Sequence, residues 1–269
     1  MPAREIVRSR ANPAFRRFQE RKRRARGDGL LLLEGVTLVE EALGAGLRVV
    51  EAAFSERAAA KPTGRALLER LQRAKTRGLL FADALLDSLA EVETSQGVIA
   101  LAEPKHFVEA DVFASTPLLI ACWAIQNPGN LGGLLRTAEA AGATGALLGA
   151  GCADPFGWKA LRGSMGSAFR LPHLSGLEAP ELVALAKTRG LRLLAADARA
   201  RRRYDEVDWR LPSALLLGSE GGGLPPELLQ ASDERIAIPL RPPVESLNVG
   251  VAAGIVLFEA ARQRRTDAA

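Results

Sequence analysis

The chain holds only two cysteines, two histidines, one tyrosine and three tryptophans in 269 residues. Cys122 and Cys152 cannot make a disulfide framework, and neither belongs to a Cys-x-x-Cys pair of the kind that binds zinc. With His106 and His173 as the only imidazoles, a histidine-rich metal centre or a Ser-His-Asp triad has little to draw on, and no metal is expected. Long apolar runs are also lacking. Residues 112–135 carry no charged side chain, but Pro117, Gln126, Asn127, Pro128 and Asn130 would break a membrane-spanning helix there. The first residues are arginine-rich up to Arg26, which is not the pattern of a secretory leader. These absences lead us to expect a soluble, cytoplasmic protein without a membrane partner.

What is present is globular: 48% of residues are hydrophobic and 25% charged. The net charge of +5 is unevenly spread. Residues 1–26 hold nine arginines and Lys22 against Glu5 and Glu20, a local charge of +8 that leaves −3 for the rest. Such a basic arm suggests a polyanionic partner. Asn12-Pro13 reads as a helix start and Gly27 as its stop, with Phe15 and Phe18 able to share one face and anchor the helix.

From Leu30 to Leu101, short apolar runs alternate with segments of helical spacing, among them a helix expected over 62–77 and a strand over 79–81. The composition then shifts at Glu103-Pro104-Lys105-His106 and again at Ser115-Thr116-Pro117. The organisation expected is therefore a basic arm (1–26), a small α/β domain (27–102), a linker (103–116) and a larger α/β domain (117–269). The larger one opens on 118–125, an apolar run of the kind buried on both faces of a parallel sheet. Strands over 146–148, 191–196, 214–217 and 236–238 follow, and a final helix is expected over 246–263 with Ser246 as its cap.

Ligands of parallel α/β sheets sit outside the carboxyl ends of the strands, where this chain has loops rich in glycine and asparagine. No Gly-Lys-Ser/Thr follows either glycine cluster, which excludes a P-loop. Gly149-Ala150-Gly151 falls short of a dinucleotide fingerprint because Asp154 stands at the third glycine position, where its carboxylate would repel a pyrophosphate. The loop over 218–223 has Glu220 as its only charged side chain, which suits a neutral or cationic ligand. Arg136 is the only lysine or arginine between Lys105 and Lys159, an isolation uncommon for incidental surface charge.

Three ordered segments resemble the motifs of the SpoU (TrmH-type) RNA ribose methyltransferases, members of the SPOUT superfamily. They are Asn127-Pro128-Gly129-Asn130-Leu131-Gly132 with Arg136-Thr137-Ala138, then Leu217-Gly218-Ser219-Glu220-Gly221-Gly222-Gly223, then Ile238-Pro239 with Glu245-Ser246-Leu247-Asn248-Val249. Gly250 departs from the serine usual in the family. Leu33-Glu34-Gly35 and Thr94-Ser95-Gln96-Gly97 are similar to the family's substrate-binding domain. The resemblance implies a C-terminal trefoil-knotted α/β methyltransferase domain, a smaller N-terminal L30e-like α/β domain, and a homodimer whose active site borrows residues across the interface. It implies S-adenosylmethionine as cofactor and a ribose 2′-hydroxyl of structured RNA as substrate, with ribosomal RNA favoured over tRNA. A non-catalytic RNA-binding or ribosome-assembly protein on the same fold is the alternative.

Carried onto this chain, the motifs nominate Asn130, Arg136, Glu220 and Asn248 for catalysis. Leu217, Gly218, Ile238, Leu240, Ser246 and Leu247 are nominated for the cofactor. Arg16, Arg17, Arg21, Lys22, Arg23, Arg24 and Glu34 are nominated for RNA docking.

Overall fold

The computed structural model describes residues 6–23, 29–91, 94–113 and 116–266, and these form two compact units. The first comprises Met1–Lys105 together with Phe156–Phe169, and the second His106–Pro155 with Arg170–Ala269.

The first unit is built on a five-stranded sheet. Its strands are β1 (Ile6–Val7), β2 (Leu31–Glu34), β3 (Val49–Ser55), β4 (Arg77–Phe81) and β5 (Val98–Ala102), in the order β1-β4-β3-β5-β2. β5 runs antiparallel to both its neighbours, and the β1–β4 and β4–β3 pairs are parallel. The near-continuous apolar sequences of β2 and β5 match their complete burial. The helix expected over 62–77 stops at Arg73, because Lys75 turns left-handed (φ 59°) and the chain leaves as β4.

The basic segment is part of this core. Asn12 caps the Pro13–Arg23 helix, its Oδ1 accepting from the Ala14 amide at 2.8 Å. Phe15 and Phe18 are buried against Phe81, with ring centroids 6.3 and 6.0 Å away. Arg24 and the expected stop at Gly27 lie outside the described residues. Phe18→Ala should cost roughly 3–5 kcal/mol of stability in denaturant unfolding, the usual range for emptying a buried aromatic site. An unchanged midpoint would show that the helix is an appendage.

The second unit carries a seven-stranded, wholly parallel sheet. The strands are β6 (Leu118–Cys122), β7 (Gly145–Gly149), β8 (His173–Leu177), β9 (Arg192–Ala196), β10 (Arg202–Arg203), β11 (Ser213–Leu217) and β12 (Glu234–Ala237), ordered β10-β12-β9-β11-β6-β7-β8. β6, β7 and β11 are buried throughout, as the apolar run over 118–125 requires. Alternate strand residues, among them Leu119, Ala121, Leu193, Ala214 and Leu216, pack with Leu182, Ala186 and Leu228 of the Ala179–Thr188 and Pro226–Ala231 helices.

The Pro128–Ala140 and Val249–Thr266 helices pack on each other, with Thr137 close against Gly254. Arg264 ties the last helix down by donating to the carbonyls of Trp209, Thr116, Pro117 and Leu211 at 2.8–3.1 Å. Among the described residues no helix is long and apolar enough to cross a membrane.

Candidate active site

All seven strands of the second unit point one way, so their carboxyl ends share one edge, and three of the loops leaving that edge meet. The first follows β6. Asn127 caps the Pro128–Ala140 helix, its Oδ1 accepting from the Gly129 and Asn130 amides at 2.8 and 3.2 Å, with Pro128 opening the first turn. This turn presents Asn130. Asn130 Nδ2 donates to Glu220 Oε1 at 2.7 Å, and Asn130 Oδ1 accepts from Asn248 Nδ2 at 3.3 Å. Three side chains from three motifs thus form one hydrogen-bonded chain.

The second loop follows β11. Ser219 and Gly223 exchange backbone hydrogen bonds of 3.1 and 2.9 Å, and Gly222 N donates to Ser219 Oγ. Gly218 lies against the far side of this turn. A Cβ there would sit 2.2–2.4 Å from backbone atoms of Gly223 and Leu224, so only glycine fits. The third loop leads into the last helix. Asn248 Oδ1 accepts from Gly250 N and Val251 N at 2.9 and 3.3 Å, and Ala252 N donates to the Asn248 carbonyl. Asn248 is therefore the cap, and the helix begins at Val249. The cap expected at Ser246 is two residues too early: asparagine caps as well as serine, and its side chain here holds two amides.

A cleft of about 1370 Å³ opens beside these loops. Leu217, Gly218, Ile238, Leu240, Ser246 and Leu247 all line it, as do Glu220 and Asn248. Its size exceeds the usual ~300–1,000 Å³ of a small-molecule pocket. One further wall, residues 196–201 with Arg203 and Tyr204, carries no recognisable motif. The available signal is its position at the carboxyl end of β9. Arg202, outside this wall, pairs with Glu234, and Arg203 forks onto Asp205, whereas the exposed Arg199 and Arg201 have no side-chain partner among the described residues.

Arg136 is exposed on the Pro128–Ala140 helix and makes no side-chain hydrogen bond or ion pair among the described residues. Among the described residues no hydrogen bond joins it to the Asn130–Glu220–Asn248 chain. Burial raises the Cys152 thiol above its ordinary range and the Cys122 thiol well above it, so neither offers a competing thiolate nucleophile.

In the first unit Arg17 forks onto the buried Glu51 (2.7 and 3.2 Å), Arg21 donates to the Leu30 carbonyl, and Lys22 reaches the Ala90 carbonyl and Glu91, both at 3.1 Å. Arg16 is exposed without a side-chain partner among the described residues. Among the described residues, Arg17, Arg21 and Lys22 are thus engaged within their own unit. Arg23 closes the helix.

A parallel α/β sheet with a glycine-bound cleft and three linked polar side chains at its strand ends defines a small-ligand-binding enzyme domain. Comparison with known proteins makes the class specific. Residues 117–258 match the SpoU rRNA methylase family and residues 14–100 match an MRM3-like substrate-binding domain. The chain belongs to the SpoU methylase family. It is 36% identical over 240 residues to an uncharacterised tRNA/rRNA methyltransferase of Synechocystis, covering 88% of this chain and 85% of the relative. It is 34% identical to the 23S rRNA (guanosine(2553)-2′-O)-methyltransferase RlmP of Bacillus subtilis, covering 66% and 70%. The solved structure of the SpoU methyltransferase AviRb from Streptomyces viridochromogenes, in complex with AdoMet, superposes with a TM-score of 0.85 at 26% identity, covering 95% and 99%.

Proposed function

We propose that the protein methylates a ribose 2′-hydroxyl of structured RNA, with S-adenosylmethionine bound in the cleft of the second unit. The observation that carries this reading is the Asn130–Glu220–Asn248 chain, two members of which line a cleft also lined by Gly218, where a Cβ has no room. The residues present fit the cofactor. Apolar side chains of Leu217, Ile238 and Leu247 suit an adenosine, backbone groups beside Gly218 can approach it closely, and Glu220 favours a cation. When bound, S-adenosylmethionine supplies an electrophilic methyl group on a sulfonium.

The chain's own residues then have three tasks. Glu220, held by Asn130, favours the cationic cofactor over its neutral product and so assists exchange. Asn130 and Asn248, fixed by helix caps, orient the ribose. Arg136 would fork onto the phosphate next to the reacting ribose and lower the cost of releasing the hydroxyl proton to solvent.

The same reading includes a homodimer. The last helix exposes Val251 and Phe258, about half accessible each, with Ile255 between them on the same stripe. We infer that a second copy covers this stripe and that Arg136 serves the partner's cleft. The family's trefoil knot is part of the reading; it is supported by β12 lying between β10 and β9, with the residues that follow lining the cleft beside the loop from β11. An RNA target and bacterial relatives favour the cytoplasm.

The test is methyl transfer from labelled cofactor to ribosomal RNA and, separately, to tRNA. A 2′-O-methyl group blocks alkaline cleavage, so the label should emerge in alkali-stable dinucleotides from ribosomal RNA. Label in a base, or in neither RNA, would overturn the reading; label in tRNA alone would move the substrate.

A further inference from the structure

Leu33-Glu34-Gly35 and Thr94-Ser95-Gln96-Gly97 meet in the first unit, although 60 residues separate the atoms that join them. Val36 N donates to Gln96 Oε1 at 2.8 Å, and Gly35 (φ 95°) leaves room for that bond, since a Cβ there would lie 2.8 Å from the same oxygen. The two motifs wall a cavity of about 410 Å³, within the range of small-ligand pockets. Arg162 and Met165 supply another wall, from the Phe156–Phe169 segment of the same unit.

Glu34 carries the argument. It is 9% exposed, at the end of β2. Its Oε2 accepts from Trp158 Nε1 at 3.0 Å and from Glu91 N at 3.2 Å. Its Oε1 is buried with no hydrogen-bond partner among the described residues. Leaving a buried carboxylate oxygen without a donor is costly, and such groups ask for a reason. The indole and amide bonds fix the carboxylate, so the missing donor is most simply supplied by a ligand in the cavity that Glu34 lines. Arg162 lies 5.1 Å from the centre of the Trp158 ring and lines the same cavity, which offers a flat guanidinium for stacking. Met165, 44% exposed and left-handed (φ 48°), and Leu38 add apolar surface.

Oε2 already accepts two bonds, so a planar ring with adjacent N–H donors on one edge satisfies these features by directing both donors to the lone pairs of Oε1. Guanine presents N1–H and N2–H side by side, whereas adenine, cytosine and uracil each place an acceptor next to their donor. We propose that this cavity captures an unpaired guanine base of the RNA, with Glu34 reading its Watson–Crick edge and Arg162 stacking on its face. The proposal rests on the RNA reading above, but uses residues separate from the methyl-transfer cleft.

The test titrates the full chain with GMP, IMP, AMP, CMP and UMP while following the Trp158 indole N–H by NMR. GMP should give a saturable shift. IMP, which lacks the N2 amino group, should bind roughly tenfold more weakly, and the other three weaker still. Glu34→Gln puts an amide donor against the base and should abolish the preference for GMP while S-adenosylmethionine binding is unchanged. Equal responses to all five nucleotides, no response to GMP, or a folded Glu34→Gln protein that retains the preference would each overturn the proposal. Should that variant fail to fold, the comparison of GMP with IMP on the wild type decides alone. GMP selectivity without S-adenosylmethionine binding would sink the methyltransferase reading and leave the cavity standing. Methyl transfer without GMP selectivity would do the reverse.

Discussion

Arg136→Ala should lower methyl transfer by roughly a hundred- to a thousandfold, the range seen when one preorganised charge-stabilising donor is removed from an active site. S-Adenosylmethionine affinity should change little, because Arg136 does not line the cleft. Its isolation motivates the expectation: an exposed guanidinium without a side-chain partner among the described residues, on a helix whose first turn holds Asn130. Six residues of helix carry Arg136 about 9 Å along the axis from Asn130 and about 120° around it. An Arg136 that serves a cleft therefore suits that of a second copy. Arg136→Lys should recover only part of the rate, since an ammonium keeps the charge but loses the fork.

Subunit exchange separates action within one chain from action across a dimer. Mixed with Glu220→Ala, the Arg136→Ala protein should regain about a quarter of wild-type activity, because half the dimers are then mixed and each mixed dimer has one intact site of two. If Arg136 worked on its own chain's cleft, every site would carry one lesion and no activity would return. Full activity in Arg136→Ala alone would remove the residue from the mechanism.

The parts of the fold legible in the sequence are those whose signal is local. The strands β6, β9 and β11 are short apolar runs bounded by turn residues, and the paired burial of Phe15 and Phe18 follows from their spacing. The two-residue strands β1 and β10 have no such signal, since they exist only through pairing with a neighbour. β8 is hidden for another reason: His173–Leu177 is partly exposed at the sheet edge, with Ser175 and Gly176 interrupting its apolar pattern. Nor does local pattern reveal that Phe156–Phe169 joins the first unit. The bond from Trp158 to Glu34 spans 124 residues, and Trp158 looks from its own surroundings like an ordinary helix start. The site shows the same division. The strand ends and glycine loops are readable, but the contact of Asn130 with Glu220 and Asn248 can be anticipated only through motifs taken together. The cap is Asn248 rather than Ser246 because both residues can cap, and only the path of the chain into the helix decides between them.

Gly218→Ala should abolish measurable S-adenosylmethionine binding or weaken it at least a hundredfold, about 2.7 kcal/mol. A Cβ at position 218 would meet the carbonyl carbon and oxygen of Gly223 and the amide nitrogen of Leu224 at 2.2–2.4 Å, distances no side chain tolerates. These are backbone atoms of a turn closed by the Ser219–Gly223 hydrogen bonds, so relief requires the turn to move away as a body. That motion carries Glu220 with it and strains its 2.7 Å bond to Asn130. One methyl group should therefore disturb both the cofactor wall and the polar chain. Gly221 is the control, since a Cβ there has open space and its φ lies outside the left-handed region. Gly221→Ala should bind the cofactor as the wild type does. Calorimetry with S-adenosylmethionine on both variants, alongside thermal unfolding to confirm that each is folded, makes the comparison. Equal binding by the two would show that the cofactor does not depend on the turn at Gly218, and the cleft would need another occupant.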